Sequence, residues 1–252
     1  MYNYNINING LDVNAHYTDS NINDIFIPLL KHLTRLQKEK GNRILVMLAA
    51  PPGAGKSTLC SFLEKLSREE EDVTELQAIG MDGFHRRQEY LTTHTTVRDG
   101  QKIKMVEIKG APITFDLPLL EERIKRVASG ENCGWPIYDR TTHNPEDNVI
   151  TVTSDIVLLE GNYLLLDEPG WSKLSDYADY TIAIKAEEML LRKRLIDRKA
   201  ASGNSIENAT KFVDFSDMEN IRTCLSKTKK ADLILEALED DSIQAGSPKF
   251  NP

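Results

Sequence analysis

The stretch "LAAPPGAGKSTL", from Leu48 to Leu59, has the spacing of a phosphate-binding loop. An apolar run, "RILVMLAA" from Arg43 to Ala50, precedes the loop and predicts a buried strand, and the helical pattern "TLCSFLEKL" follows it. In such a turn from strand to helix, successive backbone N–H groups and the helix N-terminus point at one site and bind an anion there. The stretch therefore predicts a site for nucleotide phosphates within an α/β domain.

Six consecutive residues form the predicted phosphate cradle. The Lys56 side chain is expected to reach the β- and γ-phosphate oxygens, and the Ser57 hydroxyl is expected to bind Mg²⁺. The usual motif begins with glycine, whereas this one begins with Ala50. Because that position lies at the end of the strand, alanine adds only one methyl group there, and we expect the cradle to remain functional. The predicted nucleotide-binding residues are Gly53, Ala54, Gly55, Lys56, Ser57 and Thr58.

Composition limits the classes of protein to be considered. With 252 residues, 40% of them apolar and 28% charged, the chain can form one α/β domain with a full core. The formal net charge of -8 argues against a broad nucleic-acid surface and favours small ligands. Three cysteines without a CxxC pair disfavour a disulfide framework or a zinc site. Since the sequence has neither a long apolar run nor a signal-peptide pattern, we expect a cytoplasmic protein that binds neither membranes nor nucleic acid.

The chain divides into three predicted segments, residues 1–41, 42–240 and 241–252. In the first, alternating residues around Asn9 and Gly10 predict a β-hairpin with a type I′ turn, and a helix is expected from Asn23 to Lys40. In the second, helical patterns between apolar runs favour the P-loop NTPase fold, a mostly parallel central sheet with helices on both faces. The third is expected to be a flexible tail. The further predicted strands of the sheet are Thr74–Met81, Ser154–Gly161, Asp179–Ala186 and Ala231–Ala237.

Two carboxylates lie at the ends of predicted strands. Asp82 in "IGMDGFH" follows the second strand of the sheet, and Glu160 in "DIVLLEGNYLLL" ends another. Ligands gather at the carboxyl edge of an open α/β sheet. Asp82 is therefore placed to accept the proton of an attacking hydroxyl, and Glu160 to orient Mg²⁺ or its waters. The alternatives are a turn or N-cap aspartate and a plain strand-end glutamate.

Six stretches occur in an order that resembles the uridine kinase, phosphoribulokinase and pantothenate kinase superfamily of P-loop kinases: "APPGAGKSTL", "MDGFH", "KGAPITFD", "WPIYDRTTHNPEDN", "LLEGNYLLLDEPGW" and "RKRLIDRKAASG". The resemblance extends from about Arg43 to Leu235 and is strongest to the bacterial fructokinase-like or nucleoside-kinase-like branch. It implies an ATP- and Mg²⁺-dependent kinase that phosphorylates a hydroxyl of a small molecule. In that activity Asp82 would be the general base and Glu160 the Walker-B-like acid. The resemblance does not account for the N-terminal hairpin.

The resemblance also implies an acceptor site built from three motifs. The stretch "IYDRTTH" matches the segment that contacts the acceptor, and "MDGFH" supplies a histidine near Asp82. The stretch "KGAPITFD" matches an acceptor-side motif, although it has Ile113 where an acidic residue is commoner. A solvated loop residue is the alternative for the histidine of "IYDRTTH". The implied substrate-binding residues are Asp82, His85, Lys109, Asp116, Tyr138, Arg140 and His143, with Asp139 as a further candidate.

A pair of arginines completes the implied catalytic set. Arg194 and Arg198 in "RKRLIDRK" lie at i and i+4 of a predicted helix that runs into "AASGNS". They match the lid arginines that surround the phosphates in the superfamily, where they would act together with Lys56 and Asp82. Ordinary surface arginines are the alternative.

Two other functions compete with this one. Arg86 and Arg87 could clamp a phosphate already carried by the acceptor, as in a phosphoribulokinase, or they could be solvated. A P-loop switch or regulatory ATPase is disfavoured because "SKTKKAD" lacks the N-K-x-D spacing that reads guanine, and "DEPG" lies after the Glu160 strand. The sequence leaves the acceptor open among a sugar such as fructose, a nucleoside and a pantothenate-like alcohol, and it indicates no assembly state.

Overall fold

A computed structural model describes residues 2–8, 11–240 and 242–246. Its strands are β1 (Tyr2–Ile8), β2 (Leu11–Tyr17), β3 (Ile44–Ala49), β4 (Leu76–Gly80), β5 (Thr95–Arg98), β6 (Gln101–Lys104), β7 (Cys133–Asp139), β8 (Asn144–Val152), β9 (Ile156–Gly161), β10 (Tyr180–Lys185), β11 (Leu233–Ala237) and β12 (Ile243–Gly246). Its α-helices are α1 (Ile27–Lys40), α2 (Lys56–Glu69), α3 (Gln88–Thr93), α4 (Leu117–Ala128), α5 (Glu188–Ala201), α6 (Ile206–Phe212) and α7 (Met218–Lys227). Short 3₁₀ or π-helical turns are Asn21–Phe26, Met81–Phe84, Met105–Ile108, Pro112–Thr114, Leu174–Tyr177 and Val213–Asp217.

A six-stranded sheet in the order β12-β11-β10-β3-β9-β4 forms the centre of the protein. From β11 to β4 every neighbouring pair is parallel, and only the edge strand β12 is antiparallel to its neighbour. The predicted α/β fold with a mostly parallel sheet is therefore confirmed. Each predicted central strand is present, shortened by a residue or more at its ends because the flanking residues leave the sheet.

The strand before the phosphate-binding loop is buried on both faces. All six residues of β3 are buried, and their side chains alternate between two apolar clusters. One cluster contains Leu33 of α1 and Phe62 of α2, and the other contains Ile124 of α4 and the indole of Trp135. This double coverage is why "ILVMLA" is continuously apolar rather than alternating.

The N-terminal hairpin packs onto the main core. The rings of Tyr4 and Tyr17 lie 5.2 and 4.5 Å from the ring of Phe62 in α2, and the Tyr4 hydroxyl lies 3.0 Å from Ser61 Oγ. The predicted turn at Asn9-Gly10 lies outside the described residues. The domain boundary between residues 41 and 42 stays a prediction. Tyr4 and Tyr17 of the hairpin belong to the same apolar cluster as residues of α1, α2 and β3.

The prediction of a flexible tail is wrong over Ile243–Gly246. These residues form β12 and pair with β11, and Ile243 is only 7% exposed. Its carbonyl oxygen accepts a hydrogen bond from Asn21 Nδ2 at 2.5 Å. The physical reason is that β11 would otherwise be the edge of the sheet, where unpaired backbone groups accept a further strand irrespective of its side chains. Asp241 and residues 247–252 lie outside the described part of the chain.

Candidate active site

The carboxyl ends of three parallel strands meet near the phosphate-binding loop. In the register of the sheet, Glu160 of β9 is paired with Leu48 of β3 and with Gly80 of β4. Ser57 Oγ, in the first turn of α2, donates a hydrogen bond to Glu160 Oε1 at 2.8 Å. The topology thus joins a hydroxyl and a carboxylate that are 103 residues apart in the sequence.

The phosphate-binding loop turns through two glycines in the left-handed region. Gly53 has a φ of 84° and Gly55 a φ of 81°, and α2 begins directly afterwards at Lys56. Other residues are strained at such φ values. A Cβ on Gly53 would also lie 3.2 Å from the carbonyl oxygen of Leu191, because α5 packs closely over the loop. These glycines therefore permit both the turn and the approach of α5.

Ala50, which replaces the first glycine of the usual motif, belongs to the core. It is 3% exposed, and its N–H donates to the carbonyl oxygen of Gly161 at 3.2 Å. Its methyl group packs in the same apolar cluster as Leu59 of α2. The extra methyl group is therefore accommodated by the core, and the loop follows without obstruction.

Asp82 follows β4 in a tight 3₁₀ turn. Burial by itself would raise the pKa of this carboxyl group. Positive charges outweigh burial and hold the pKa of Asp82 below its ordinary value; in order of effect they are His85, Lys56, Arg140 and Arg198. Burial lowers the pKa of His85 itself, so this ring carries little positive charge at neutral pH. At that pH the pKa of Asp82 is therefore held down mainly by Lys56, Arg140 and Arg198. Asp82 is therefore ionised at neutral pH.

Glu160 experiences the opposite shift. Burial raises its pKa and the negative charge of Asp82 raises it further, whereas Lys56 and the hydrogen bond from Ser57 offset only part of this rise. Two neighbouring carboxyl groups whose pKa values move in opposite directions are typical of functional sites. A serine hydroxyl beside a buried carboxylate is also an oxygen set that fits Mg²⁺.

His85 is held in one orientation beside Asp82. Its Nδ1–H donates to the Asp82 carbonyl oxygen at 2.8 Å, since a carbonyl can only accept. Its ring centroid lies 4.0 Å from that of Phe115 and 5.0 Å from that of Tyr138. Burial lowers the pKa of His85, and the nearby Asp82 offsets only part of the effect. The neutral ring is left with Nε2 as a hydrogen-bond acceptor.

Lys109 joins two of the predicted acceptor motifs. Its Nζ donates to Gln88 Oε1 at 2.8 Å and to the backbone oxygen of His143 at 3.1 Å, and it lies 4.9 Å from the ring centroid of Tyr138. Burial lowers the pKa of Lys109 to about 8. His143 itself is exposed and has a φ of 56°. The loop after β7 is thus attached to the "KGAP" segment through one lysine.

These side chains converge on a cleft of about 750 Å³. It is open to ligands of the size of a small metabolite and a nucleotide phosphate chain. The sequence-predicted residues that line it are Lys56, Asp82, His85, Lys109, Tyr138, Arg140, His143 and Arg198. The structure therefore brings the phosphate-loop lysine, residues of all three implied acceptor motifs and one lid arginine to a single place.

Asp116, a predicted acceptor contact, and Arg194, the other predicted lid arginine, do not line this cleft. The Asp116 carboxylate caps α4, where it accepts from the Leu119 N–H at 3.3 Å, and it lies 3.9 Å from Arg86 Nη1. Arg194 Nη2 donates to the carbonyl oxygen of Leu238 at 2.9 Å. Substrate contact by Asp116 and phosphate contact by Arg194 are therefore not supported by this geometry. A helix N-terminus and a strand-end carbonyl engage the two side chains instead.

The contacts of the two arginines after His85, Arg86 and Arg87, do not support a phosphate clamp. The Arg86 guanidinium lies 4.7 Å from the ring centroid of Tyr90, and Arg87 Nη2 forms an exposed ion pair with Asp147 Oδ2 at 2.9 Å. Neither arginine lines the cleft. The solvated alternative is favoured for this pair.

Sequence reasoning missed one wall of the cleft. Asn162, directly after β9, lines it together with Asp217 and Asn220. The two latter residues are three apart in "SDMENI" and so share one helical face, which is the available signal. The shared helical face is a weak signal for a site, because the apolar residues of the same segment, Met218 and Ile221, predict only that the helix packs against the core.

A second cavity, of about 230 Å³, lies next to the same carboxylates. It is lined by Ser57, Asp82 and Glu160, and also by Ile6 and Asn7 of β1. The N-terminal hairpin, for which the sequence offered no function, therefore contributes residues beside the site.

The fold and the site together define a P-loop phosphotransferase. A phosphate-binding loop opens a helix after a central parallel strand, and carboxylates end the two strands that follow in the sheet. Phosphoryl transfer requires a cation that neutralises phosphate charge and a carboxylate near the acceptor, and the cleft contains both in Lys56 and Asp82.

The chain belongs to the phosphoribulokinase/uridine kinase family, whose model matches residues 45–244. "Uncharacterized protein YggC" of Escherichia coli K12 is 38% identical over 236 residues, which cover 93% of this chain and 95% of that protein. "Putative uridine kinase C227.14" of Schizosaccharomyces pombe is 31% identical over 227 residues, which cover 88% and 91%. The crystal structure of a "putative fructose transport system kinase" from Silicibacter sp. TM1040 has a TM-score of 0.69 at 29% identity, covering 81% of this chain and 98% of that chain.

The protein is accordingly a kinase that acts on small molecules, with a hydroxyl group as acceptor and ATP as phosphate donor. The predicted family, fold and enzyme class are confirmed. Across residues 2–8, 11–240 and 242–246, no helix has the length and apolar character needed to cross a membrane.

Proposed function

We propose that the protein transfers the γ-phosphoryl group of ATP, in the presence of Mg²⁺, to a hydroxyl of a small molecule bound in the cleft, with Asp82 as general base. Asp82 carries this assignment because it lines the same cleft as Lys56 and is kept ionised there by the surrounding cations. A carboxylate at the carboxyl edge of the sheet, next to the phosphate loop, is where an acceptor hydroxyl must lose its proton.

The nucleotide end of the cleft would be formed by the loop from Gly53 to Thr58. Its backbone N–H groups would hold the phosphates, and Lys56 would stabilise the charge that develops on the β- and γ-oxygens. Arg198, one of the two predicted lid arginines, reaches the same cleft. Ser57 and Glu160 would hold Mg²⁺, which neutralises phosphate charge when bound.

At the acceptor end, Asp82 would receive the hydroxyl proton. As the acceptor oxygen bonds to phosphorus and the bond to the ADP oxygen breaks, the proton passes to the Asp82 carboxylate. His85 and Tyr138 lie beside Asp82 and would orient the acceptor through the free Nε2 and the phenol. The packing of α5 over the loop would help to exclude water, which otherwise competes as acceptor.

The enzyme is proposed to act in a reducing compartment such as the cytoplasm. Cys60, Cys133 and Cys224 are free and buried, which supports that location.

Acceptor-dependent ADP release tests the proposed activity. Purified protein with Mg²⁺-ATP is offered fructose, uridine, pantothenate and ribulose phosphate, and ADP is followed with and without each compound. We expect release to depend on one class of acceptor, and mass spectrometry to detect the phosphorylated product. ATP turnover that no acceptor stimulates would support a regulatory ATPase instead.

Asp82→Asn separates binding from chemistry. The amide is isosteric with the carboxylate, so nucleotide affinity is expected to remain, whereas kcat should fall by about 10² to 10⁴-fold. Asp99→Asn is the matched control, because the Asp99 side chain is 94% exposed at the tip of the β5–β6 hairpin. A folded Asp82→Asn enzyme with kcat within about threefold of wild type would contradict the assignment of the base.

A further inference from the structure

One wall of the cleft contains buried polar atoms without hydrogen-bond partners. Among the described residues, five buried side-chain atoms lack a partner, and three of them belong to residues that line this cleft. Asp217 is 9% exposed and Asn220 is 3% exposed. The three atoms are Asn162 Oδ1, Asp217 Oδ2 and Asn220 Nδ2.

Partnerless buried atoms are rare in folded proteins, and their concentration at one cavity needs a cause. The neighbouring polar side chains do not supply the missing partners, because they bond to backbone oxygens instead: Cys224 Sγ donates to the Asn162 carbonyl oxygen at 3.4 Å, and the Tyr163 hydroxyl donates to the Gly110 carbonyl oxygen at 2.7 Å. A ligand in the cleft would be the missing partner.

One of these atoms adjoins the "KGAP" segment, which lines the same cleft. A Cβ on Gly110 would lie 3.4 Å from Asn220 Nδ2, so Asn220 packs over the residue that follows Lys109. Two of the atoms are oxygens that accept hydrogen bonds, and the third is an amide nitrogen that donates. Hydroxyl groups both donate and accept, and a molecule with several hydroxyls satisfies such a set.

Lys109 adds a charge requirement beside them. Its hydrogen-bond partners are the neutral Gln88 amide and the backbone oxygen of His143, and its nearest ring is the phenol of Tyr138. Among the ion pairs of the described residues, none involves Lys109. A half-buried ammonium group with neutral partners is best compensated by an anion.

We propose that the acceptor of this kinase is a polyhydroxylated anion: Asn162, Asp217 and Asn220 bind its hydroxyl groups, and Lys109 binds its carboxylate or phosphate. This inference rests on the proposed function, since the same cleft positions the hydroxyl at Asp82. It excludes neutral sugars and nucleosides as preferred acceptors.

Matched acceptor sets test the charge requirement and distinguish its two sources. Each set contains a neutral polyol, the corresponding acid and the corresponding phosphate ester, for example glycerol, glycerate and glycerol phosphate, or ribitol, ribonate and ribitol phosphate. Panthenol and pantothenate form a further pair. We expect kcat/KM for an anionic member to exceed that for its neutral counterpart by at least about tenfold, and the better anionic member identifies the group that Lys109 binds.

A neutral member that is phosphorylated as well as its anionic counterparts, or better, would overturn the charge requirement while leaving the kinase activity intact. If no anionic member of any set is phosphorylated but fructose or uridine is, only the acceptor class is overturned; if neither the sets nor fructose, uridine and ribulose phosphate are phosphorylated or stimulate ADP release, the proposed function is overturned as well. The two failures are therefore distinguishable.

Variants test the individual residues. Lys109→Gln should raise KM for the anionic acceptor about 10- to 100-fold and leave KM for ATP unchanged, and Lys102→Gln on β6 is the control. Asp217→Asn and Asn220→Ala should raise KM for the acceptor more than they lower kcat, with Glu219→Gln on the exposed side of α7 as the control.

Binding provides a readout that does not depend on turnover. Titration calorimetry of the anionic acceptor against protein with a non-hydrolysable ATP analogue should give a Kd that rises in the same variants, while their thermal midpoints report folding. An unchanged Kd in a folded Lys109→Gln or Asp217→Asn protein would contradict the assignment of that residue. A compensating gain for the neutral acceptor in Lys109→Gln would support it.

Discussion

Ser57 Oγ donates a hydrogen bond to Glu160 Oε1 at 2.8 Å, and this contact connects the phosphate-binding loop to the neighbouring central strand. The two residues meet because β3 and β9 are paired in parallel, so that Glu160 emerges beside the loop that follows Ala49. The carboxylate thus holds the hydroxyl that we propose as a ligand of Mg²⁺.

Glu160→Gln should weaken the use of Mg²⁺ more than the use of ATP. The amide retains the shape of the side chain but loses the charge that orients the hydroxyl and any metal-bound waters. The Mg²⁺ concentration for half-maximal activity should rise about 10- to 100-fold. A Mg²⁺ titration at fixed ATP measures this, with Glu236→Gln on the exposed face of β11 as the control. An unchanged Mg²⁺ requirement would assign Glu160 a purely structural role.

Lys56→Ala should abolish ATP turnover without unfolding the protein. The charge of Lys56 helps to lower the pKa of Asp82 and offsets part of the rise in the pKa of Glu160, so its ammonium group lies close to both carboxyl groups. Lys56 starts α2 at the surface of the cleft rather than in the core. The ammonium group is therefore needed for phosphate charge and not for packing. Single-turnover kinetics and the thermal midpoint check the two halves of the expectation, with Lys31→Ala on α1 as the control. Turnover at the wild-type rate in the folded variant would contradict the cradle.

Gly83→Ala should damage both stability and catalysis. A Cβ at this position would lie 2.2 Å from the carbonyl oxygen of Pro136 in β7, and the nearest atoms are all backbone atoms of β7, so no flexible side chain can yield. Overpacking of this kind costs on the order of 1–3 kcal/mol or more in the free energy of unfolding, and the shift would displace the adjacent Asp82. Urea denaturation and kcat measure the two effects. Gly246→Ala is the control, because its Cβ would meet nothing closer than 3.7 Å.

The activity toward an anionic acceptor should fall as the pH rises through about 8. Burial lowers the pKa of Lys109 to about 8, so the ammonium is charged below that pH and neutral above it. Of the groups around it, Tyr138 stays neutral because burial raises its pKa to about 12, and the pKa of His85 is lowered. The profile of kcat/KM for the acceptor reports the free enzyme. Lys109→Arg, which remains charged, should remove the decline. A wild-type profile that is flat from pH 7 to 9 would contradict this role.

Short stretches of sequence are sufficient to predict the structural features that depend on neighbouring residues, such as a buried strand or a tight turn. The double-faced burial of β3 requires a continuous apolar run, and the turn after it requires glycines that tolerate positive φ at Gly53 and Gly55. Strand order cannot be read in this way, but the ends of parallel strands must share one edge of the sheet. For that reason the amino-acid sequence is sufficient to predict that Asp82 and Glu160 lie near the phosphate-binding loop.

Tertiary structure alone decided which other polar side chains reach the cleft. Asp116 and Asp217 are both acidic residues next to helices, yet one caps α4 and the other is buried in the cleft wall without a partner for Oδ2. Likewise, Arg194 engages a strand-end carbonyl while Arg198, one turn later, lines the cleft. Ile243–Gly246 became a strand because β11 offered an unpaired edge. The physical reason is the same in each case: a polar or backbone group takes the partner that packing brings within hydrogen-bond distance, and that partner lies far away in the sequence.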